Sequence, residues 1–151
     1  MSSRPLLILA RNGIDHALIK YAAMSQGMPV APVSPQYGLP GANLARLAHA
    51  VEVLDPAAVF TEDAAMFSEA LEAPFLAGLP VIAALNARPG DITLEHLLKA
   101  PQADAIAEPD QPAKYLLTSG STGRPKAVIC RHRNIVINSA QVAACFDDPD
   151  L

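Results

Sequence analysis

The run Thr118-Ser119-Gly120-Ser121-Thr122-Gly123-Arg124-Pro125-Lys126 gathers four hydroxyl side chains, two glycines and a lysine into nine positions. Gly120 and Gly123 tolerate positive φ and let a ligand approach the backbone closely. Successive amide N–H groups in such a turn can form an anion-binding nest. The hydroxyls add donors, and Lys126, with Arg124 beside it, adds positive charge. A triphosphate calls for this combination of many donors, little side-chain bulk and a cation. A generic Gly/Ser loop is most often a polar hairpin tip. Here the hydroxyls, the glycines and Pro-Lys coincide between two apolar strands, which favours the phosphate-binding reading. It is not a Walker A loop, which closes on Gly-Lys-Ser/Thr, because Gly123 is followed by Arg-Pro-Lys-Ala. No G-x-G-x-x-G dinucleotide fingerprint is present. The candidate nucleotide-binding set is therefore Thr118, Ser119, Gly120, Ser121, Thr122, Gly123 and Lys126.

Other polar residues have duller readings. His16, His49, His96 and His132 lack metal-ligand spacing, so no metal site is expected. Cys130 and Cys145 do not make a disulfide framework, and Cys130-x-His132 reads as a strand end entering a turn. Without a G-x-S-x-G elbow, a serine hydrolase has no support. Tyr37, in the Ser34-Pro-Gln-Tyr37 turn, reads as a packed turn residue. The cluster Arg124, Lys126, Arg131 and Arg133, taken alone, is a solvated surface. The net charge of −4 offers no basic footprint for nucleic acid. No apolar run reaches the roughly 18 residues of a membrane helix, and the N-terminus lacks a signal-peptide apolar stretch. A cytoplasmic location is the expectation, with neither nucleic-acid nor membrane partners.

The elements that must position this loop are read from the apolar pattern. Apolar residues make up 51% of the 151, enough for one packed domain or a piece of a larger one. Short apolar runs at Leu6–Leu9, Val30–Val33, Ala57–Phe60 and Pro80–Ala84 read as buried strands. Between them stand helical patterns: Ile14, Leu18, Tyr21 and Ala22 after an Asn12 cap, with Gly27 as a stop; then Leu44, Leu47, Ala48 and Val51; then a third helix capped by Thr61 and running to about Ala73. Thr93 is expected to cap a short helix with Leu94, Leu97 and Leu98. Near-continuous apolar strands alternating with helices predict an α/β fold, a largely parallel sheet with flanking helices. Residues 1–100 form this layer and 101–112 a Pro-rich acidic linker. Residues 113–151 form a separate β-hairpin, Tyr115–Leu117 with Ala127–Cys130, that carries the phosphate loop, then a helix with Ile135, Val142 and Phe146 on one face.

The string Tyr115-Leu-Leu-Thr-Ser-Gly-Ser-Thr-Gly-Arg-Pro-Lys-Ala-Val128 resembles the phosphate-binding signature of the adenylate-forming enzymes. These comprise acyl- and aryl-CoA synthetases, luciferases and peptide-synthetase adenylation domains. His132, Arg133 and Asn134 match the residues that usually come after that signature. Upstream, Arg4 to Leu18 and Met28 to Tyr37 resemble the first strands of a CoA ligase. Their wording is most similar to feruloyl-CoA synthases, notably Asn12 with Asp15-His16 and Pro32-Val-Ser-Pro35.

The resemblance implies that residues 1–151 are a partial N-terminal, AMP-binding domain of a several-fold longer ATP-dependent carboxylate–CoA ligase. Its substrates would be ATP, CoA and a small carboxylic acid, an aromatic acid of the ferulate type, with Mg²⁺ on the phosphates. The adenine and acid pockets and the catalytic lysine lie beyond Leu151 in such enzymes. No catalytic residue is therefore expected here, Lys126 belongs to the phosphate loop, and the fragment alone should be inactive and self-associate through uncovered apolar surface. Two alternatives stand beside this: a non-catalytic, self-associating α/β fragment, and an unrelated nucleotide-binding ATPase module.

Overall fold

A computed structural model describes residues 4–101, 106–119 and 125–146. Strands β1 (Leu6–Leu9), β2 (Val30–Val33), β3 (Ala58–Asp63), β4 (Val81–Leu85) and β5 (Ile92–Thr93) come first. Then come β6 (Pro112–Ser119) and β7 (Pro125–Arg131). They build one seven-stranded sheet in the order β5-β4-β3-β1-β2-β6-β7. Every pairing is parallel except the β6–β7 hairpin. The helices are α1 (Ile14–Ser25), α2 (Ala45–Leu54), the short α3 (Ser68–Leu71) and α4 (Leu94–Leu98), and α5 (His132–Phe146).

The apolar runs of the central strands are explained by cover on both faces. In β1, Leu7 and Leu9 belong to a core with Leu47, Ala50 and Leu54 of α2 and with Phe67 and Leu76. Leu6 and Ile8 point the other way, into a core with Ile19 and Met24 of α1, Phe60 and Leu94. All four β1 residues are at most 1% exposed, so alternation carries no polar signal. Helix α1 ends as glycine allows: Gly27 takes φ +71°, and Met28 N–H donates to the Ala23 carbonyl at 2.9 Å, closing the C-terminus in the left-handed manner.

Several expectations are corrected. Thr61 caps no helix. It is a fully buried residue of β3, its hydroxyl donating to the Asp63 carbonyl at 3.4 Å. Asp63, two residues later, supplies the acceptor: its Oδ1 takes the Ala65 and Met66 N–H groups at 2.9 and 3.2 Å. The helix expected to about Ala73 is only α3, followed by a 3-10 turn over Pro74–Leu76. Gly13, not Asn12, precedes α1, without a side-chain cap. A fifth strand, β5, adds beside β4 through Ile82–Ile92 and Ala83–Thr93 pairs. The hairpin is no separate unit either, since β6 joins β2 with Val30 opposite Lys114. Thr93 does cap α4, accepting from the His96 N–H at 3.1 Å. Among the described residues no helix is long and apolar enough to cross a membrane.

Candidate functional site

Because β1 to β6 run parallel, their carboxyl ends share one edge of the sheet, the edge where open α/β sheets gather ligands. The candidate loop leaves from that edge. Strand β6 arrives with Leu116, Leu117, Thr118 and Ser119, and β7 departs with Pro125, Lys126, Ala127 and Val128. Tyr115, Leu117 and Ala127 pack against the α2-side core and hold one face of the hairpin down. Alternation places Thr118 and Lys126 on the opposite face, with the half-exposed Leu116 and Val128.

Thr118 and Lys126 stand opposite each other, and Ser119 opposite Pro125 is the last matched pair. The Thr118 hydroxyl reaches the Lys126 carbonyl at 3.4 Å, tying the strands at the mouth of the loop. Both side chains are exposed. The structure thus brings Thr118, Ser119 and Lys126 together at the hairpin mouth. Gly120, Ser121, Thr122 and Gly123, with Arg124, lie outside the described residues.

The same edge carries a polar network that the sequence did not announce. The Arg11 N–H and Nε both donate to Glu62 Oε1, at 2.9 and 2.8 Å, bridging the ends of β1 and β3. Asn86 Nδ2 donates to Asp63 Oδ1 at 3.0 Å. The Asp63 carboxyl is held below its ordinary value by the Asn86 bond above all. Burial pulls it the other way, while the Met66 and Ala65 N–H groups and the Arg11 charge add to the lowering. Glu62 and Asn86 sit 51 and 23 residues from the respective partners, and neither pairing has a local signal. Tyr37 behaves as a turn residue: it packs against the core with the Arg46 guanidinium 5.9 Å from its ring.

At the other end of the hairpin a second polar group ties the turn before β6 to the end of β7 and the start of α5. Arg131 Nη1 donates to the Asp110 carbonyl at 2.6 Å, and Arg133 Nη2 pairs with Asp110 Oδ2. Two arginines of the cluster expected to be solvated are exposed and also make contacts to Asp110 that their spacing from it conceals. Cys130 and Cys145 are free thiols. No group of three or more His, Cys, Asp or Glu among the described residues could hold a metal ion.

Residues 2–150 match the AMP-binding enzyme family, and the chain belongs to it. Sulfoacetate–CoA ligase of Cupriavidus necator is 30% identical over 149 residues, covering 94% of this chain and 27% of that protein. The 4-coumarate–CoA ligase-like 6 of Oryza sativa subsp. japonica is 30% identical over 142 residues, covering 91% and 21%. Among solved structures, McyG A-PCP complexed with phenylalanyl-adenylate superposes with a TM-score of 0.71 at 24% identity, over 95% of this chain and 22% of that one. It shares the fold. The chain spans about a quarter of the length of these relatives.

Proposed function

We propose that the chain is the phosphate-loop segment of an ATP-dependent carboxylate–CoA ligase acting on an aromatic, ferulate-type acid in the cytoplasm. The observation that carries this is the hairpin mouth. Thr118 and Lys126 are matched across it, with Ser119–Pro125 as the last pair, so a loop rich in amide and hydroxyl donors starts from two fixed ends at the ligand-binding edge of the sheet. The likeness to two CoA ligases by name supports the reaction. The rice relative and the feruloyl-synthase wording around Asn12 and Pro32 support an aromatic acid.

In the proposed reaction a carboxylate oxygen attacks the α-phosphorus of ATP and pyrophosphate departs. The CoA thiol then attacks the acyl carbon, its proton is released, and AMP leaves. Phosphoryl chemistry of this kind rests on positioning and charge stabilisation. Here Ser119 to Gly123 would hold the departing β- and γ-phosphates through N–H and hydroxyl donors, with Thr118 at the margin and Lys126 offsetting the negative charge. The described residues offer no carboxylate cage for Mg²⁺, so the ion would enter on the nucleotide's own oxygens.

The test is acid-dependent pyrophosphate–ATP exchange by the chain extended to the relatives' length. Lys126→Ala removes one charge-assisted contact worth roughly 1.5–3 kcal/mol, a loss of about 10- to 150-fold. Gly123→Val, which blocks the backbone, is expected to do at least as much harm. Wild-type rates in both variants would end the phosphate-loop reading. Residues 1–151 alone are expected to show no ligase activity and only feeble ATP affinity, because water and salt compete at an exposed site. Val128, Ile129, Val142 and Phe146 are 46%, 51%, 50% and 84% exposed. That apolar surface on β7 and α5 supports self-association of the isolated chain.

A further inference from the structure

We infer that Asp110 is a positioning residue for Thr118, Ser119 and Lys126 at the mouth of the β6–β7 hairpin, acting from the hairpin's far end. The inference rests on the phosphate-loop reading for its functional meaning, and on geometry for its mechanical content.

Strand β6 is matched to β2 at Val30 opposite Lys114, where β1 is matched to β2 over four consecutive pairs. The hairpin's ladder to the rest of the sheet is therefore short, with core packing of Tyr115, Leu117 and Ala127 beside it. From Lys114 to Ser119 is five residues, a lever of about 17 Å at the usual rise per residue. A tilt of about 5° at the pivot moves Ser119 by roughly 1.5 Å, and misplacement of that size is enough to cost on the order of 100-fold in a positioned reaction. Tyr115, Leu117 and Ala127 hold one face of this lever against the core, and the end that enters β6 needs an anchor of its own.

On the other side of the pivot, four contacts converge on the turn that enters β6. Arg131 Nη1 donates to the Asp110 carbonyl at 2.6 Å. Arg133 Nη2 donates to the Asp110 carboxylate. The Arg133 N–H donates to the Pro109 carbonyl at 2.9 Å, and the His132 N–H to the Gln111 carbonyl at 3.2 Å. Asn134 Oδ1 accepts the Arg131 N–H at 2.9 Å, so the segment that holds Asp110 is itself held. Gln111 closes the turn from within, its Oε1 accepting the Glu108 N–H at 3.2 Å.

Between this clasp and the pivot the ladder skips a residue. Pro112 faces Arg131 and Lys114 faces Cys130, leaving Ala113 as a bulge, fully buried in the α1-side core with Ile135 packed nearby. Bulges bend a strand and re-aim the residues beyond the bend. Asp110, with Arg131 at the end of β7 and Arg133 in the first turn of α5, holds the bend in one register.

The Asp110 and Arg133 side chains are 62% and 50% exposed. Exposed pairs add little to global stability, which lets the local role be separated from a general one. Hydrogen exchange followed by mass spectrometry is measured on the 151-residue protein, wild type and variants. Asp110→Ala is expected to raise exchange in peptides covering 114–131 by about 5-fold, and Arg131→Ala with Arg133→Ala by about 10-fold or more, with β1, β3 and β4 unchanged. Asp110→Glu, which keeps a carboxylate within reach, is expected to restore wild-type protection. Unchanged exchange in 114–131, or an equal rise across β1, β3 and β4, overturns the inference. Amide shifts on titration with Mg²⁺–tripolyphosphate form a separate arm. Only weak shifts are expected from residues 1–151, so the phosphate reading stands or falls on pyrophosphate–ATP exchange by the extended chain, while the hydrogen-exchange pattern decides the clasp.

Discussion

Gly38 comes directly after the Pro35–Tyr37 turn at the end of β2, and its backbone, at φ −131° and ψ 1°, would accept any residue. The space would not. A Cβ built there falls 2.8 and 3.2 Å from the two methyls of Leu9 and 3.1 Å from Ala70 Cβ. Leu9 and Ala70 are both fully buried, so neither can step aside into solvent. Overpacking of a dense core costs about 1–3 kcal/mol, and three simultaneous contacts with immobile neighbours place Gly38→Ala at roughly 2–3 kcal/mol. For a chain of this size that lowers the melting midpoint by about 5–10 °C. The assay is urea and thermal unfolding followed by circular dichroism, run as a double-mutant cycle. Leu9→Ala alone is expected to cost about 2–5 kcal/mol. In the Gly38→Ala background it is expected to cost roughly 1–2 kcal/mol less, because the new methyl occupies part of the vacated space. Additive effects, or wild-type stability in Gly38→Ala, would refute the packing argument.

Asp63 titrates below its unfolded value of about 3.9, so its carboxylate stabilises the fold above that pH and the contribution fades as pH falls through the lower folded value. Asp63→Asn is therefore expected to flatten the acid branch of the urea midpoint between about pH 5 and 2, and an unchanged profile would count against the network at β3. Thr93→Ala is expected to cost about 1 kcal/mol and to release the His96 amide to exchange, while Thr93→Ser keeps the cap; equal exchange in both variants would sink the capping assignment. Sedimentation of the isolated chain is expected to show concentration-dependent association that Ile129→Lys with Phe146→Ser weakens, and a monomer at all concentrations would contradict docking through β7 and α5.

The strands around β1 were legible because burial on both faces writes uninterrupted apolar runs, and Gly27 marks a real stop, but the face expected for α1 was the wrong one: Ile14, Leu18 and Tyr21 are exposed while Ile19 and Met24 are buried. Thr61 misled because threonine suits both a strand and a cap, and only the fully buried position decides between them. β5 is two residues long and its pairing with Ile82 and Ala83 is tertiary, so no local pattern could reveal it. The candidate loop was recognisable from residue types alone, since Thr118, Ser119 and Lys126 lie within one short run. The contacts that hold that run in place were not. Asp110 reads as a linker acid and Arg131 and Arg133 as surface cations until the hairpin brings them together across 21 and 23 residues.

The strand order also has a bearing on synthesis. Of these seven strands β1 comes earliest and lies in the interior of the sheet, β2 joins one flank and β3 the other, β4 and β5 extend the β3 side, and β6 and β7 extend the β2 side. Each strand, as it leaves the ribosome, meets an edge that is already free. None has to be threaded between two strands that have paired, so the sheet can grow outward in the order the chain appears. At every strand boundary the part already made is a contiguous sheet with two flanks for the next strand to join.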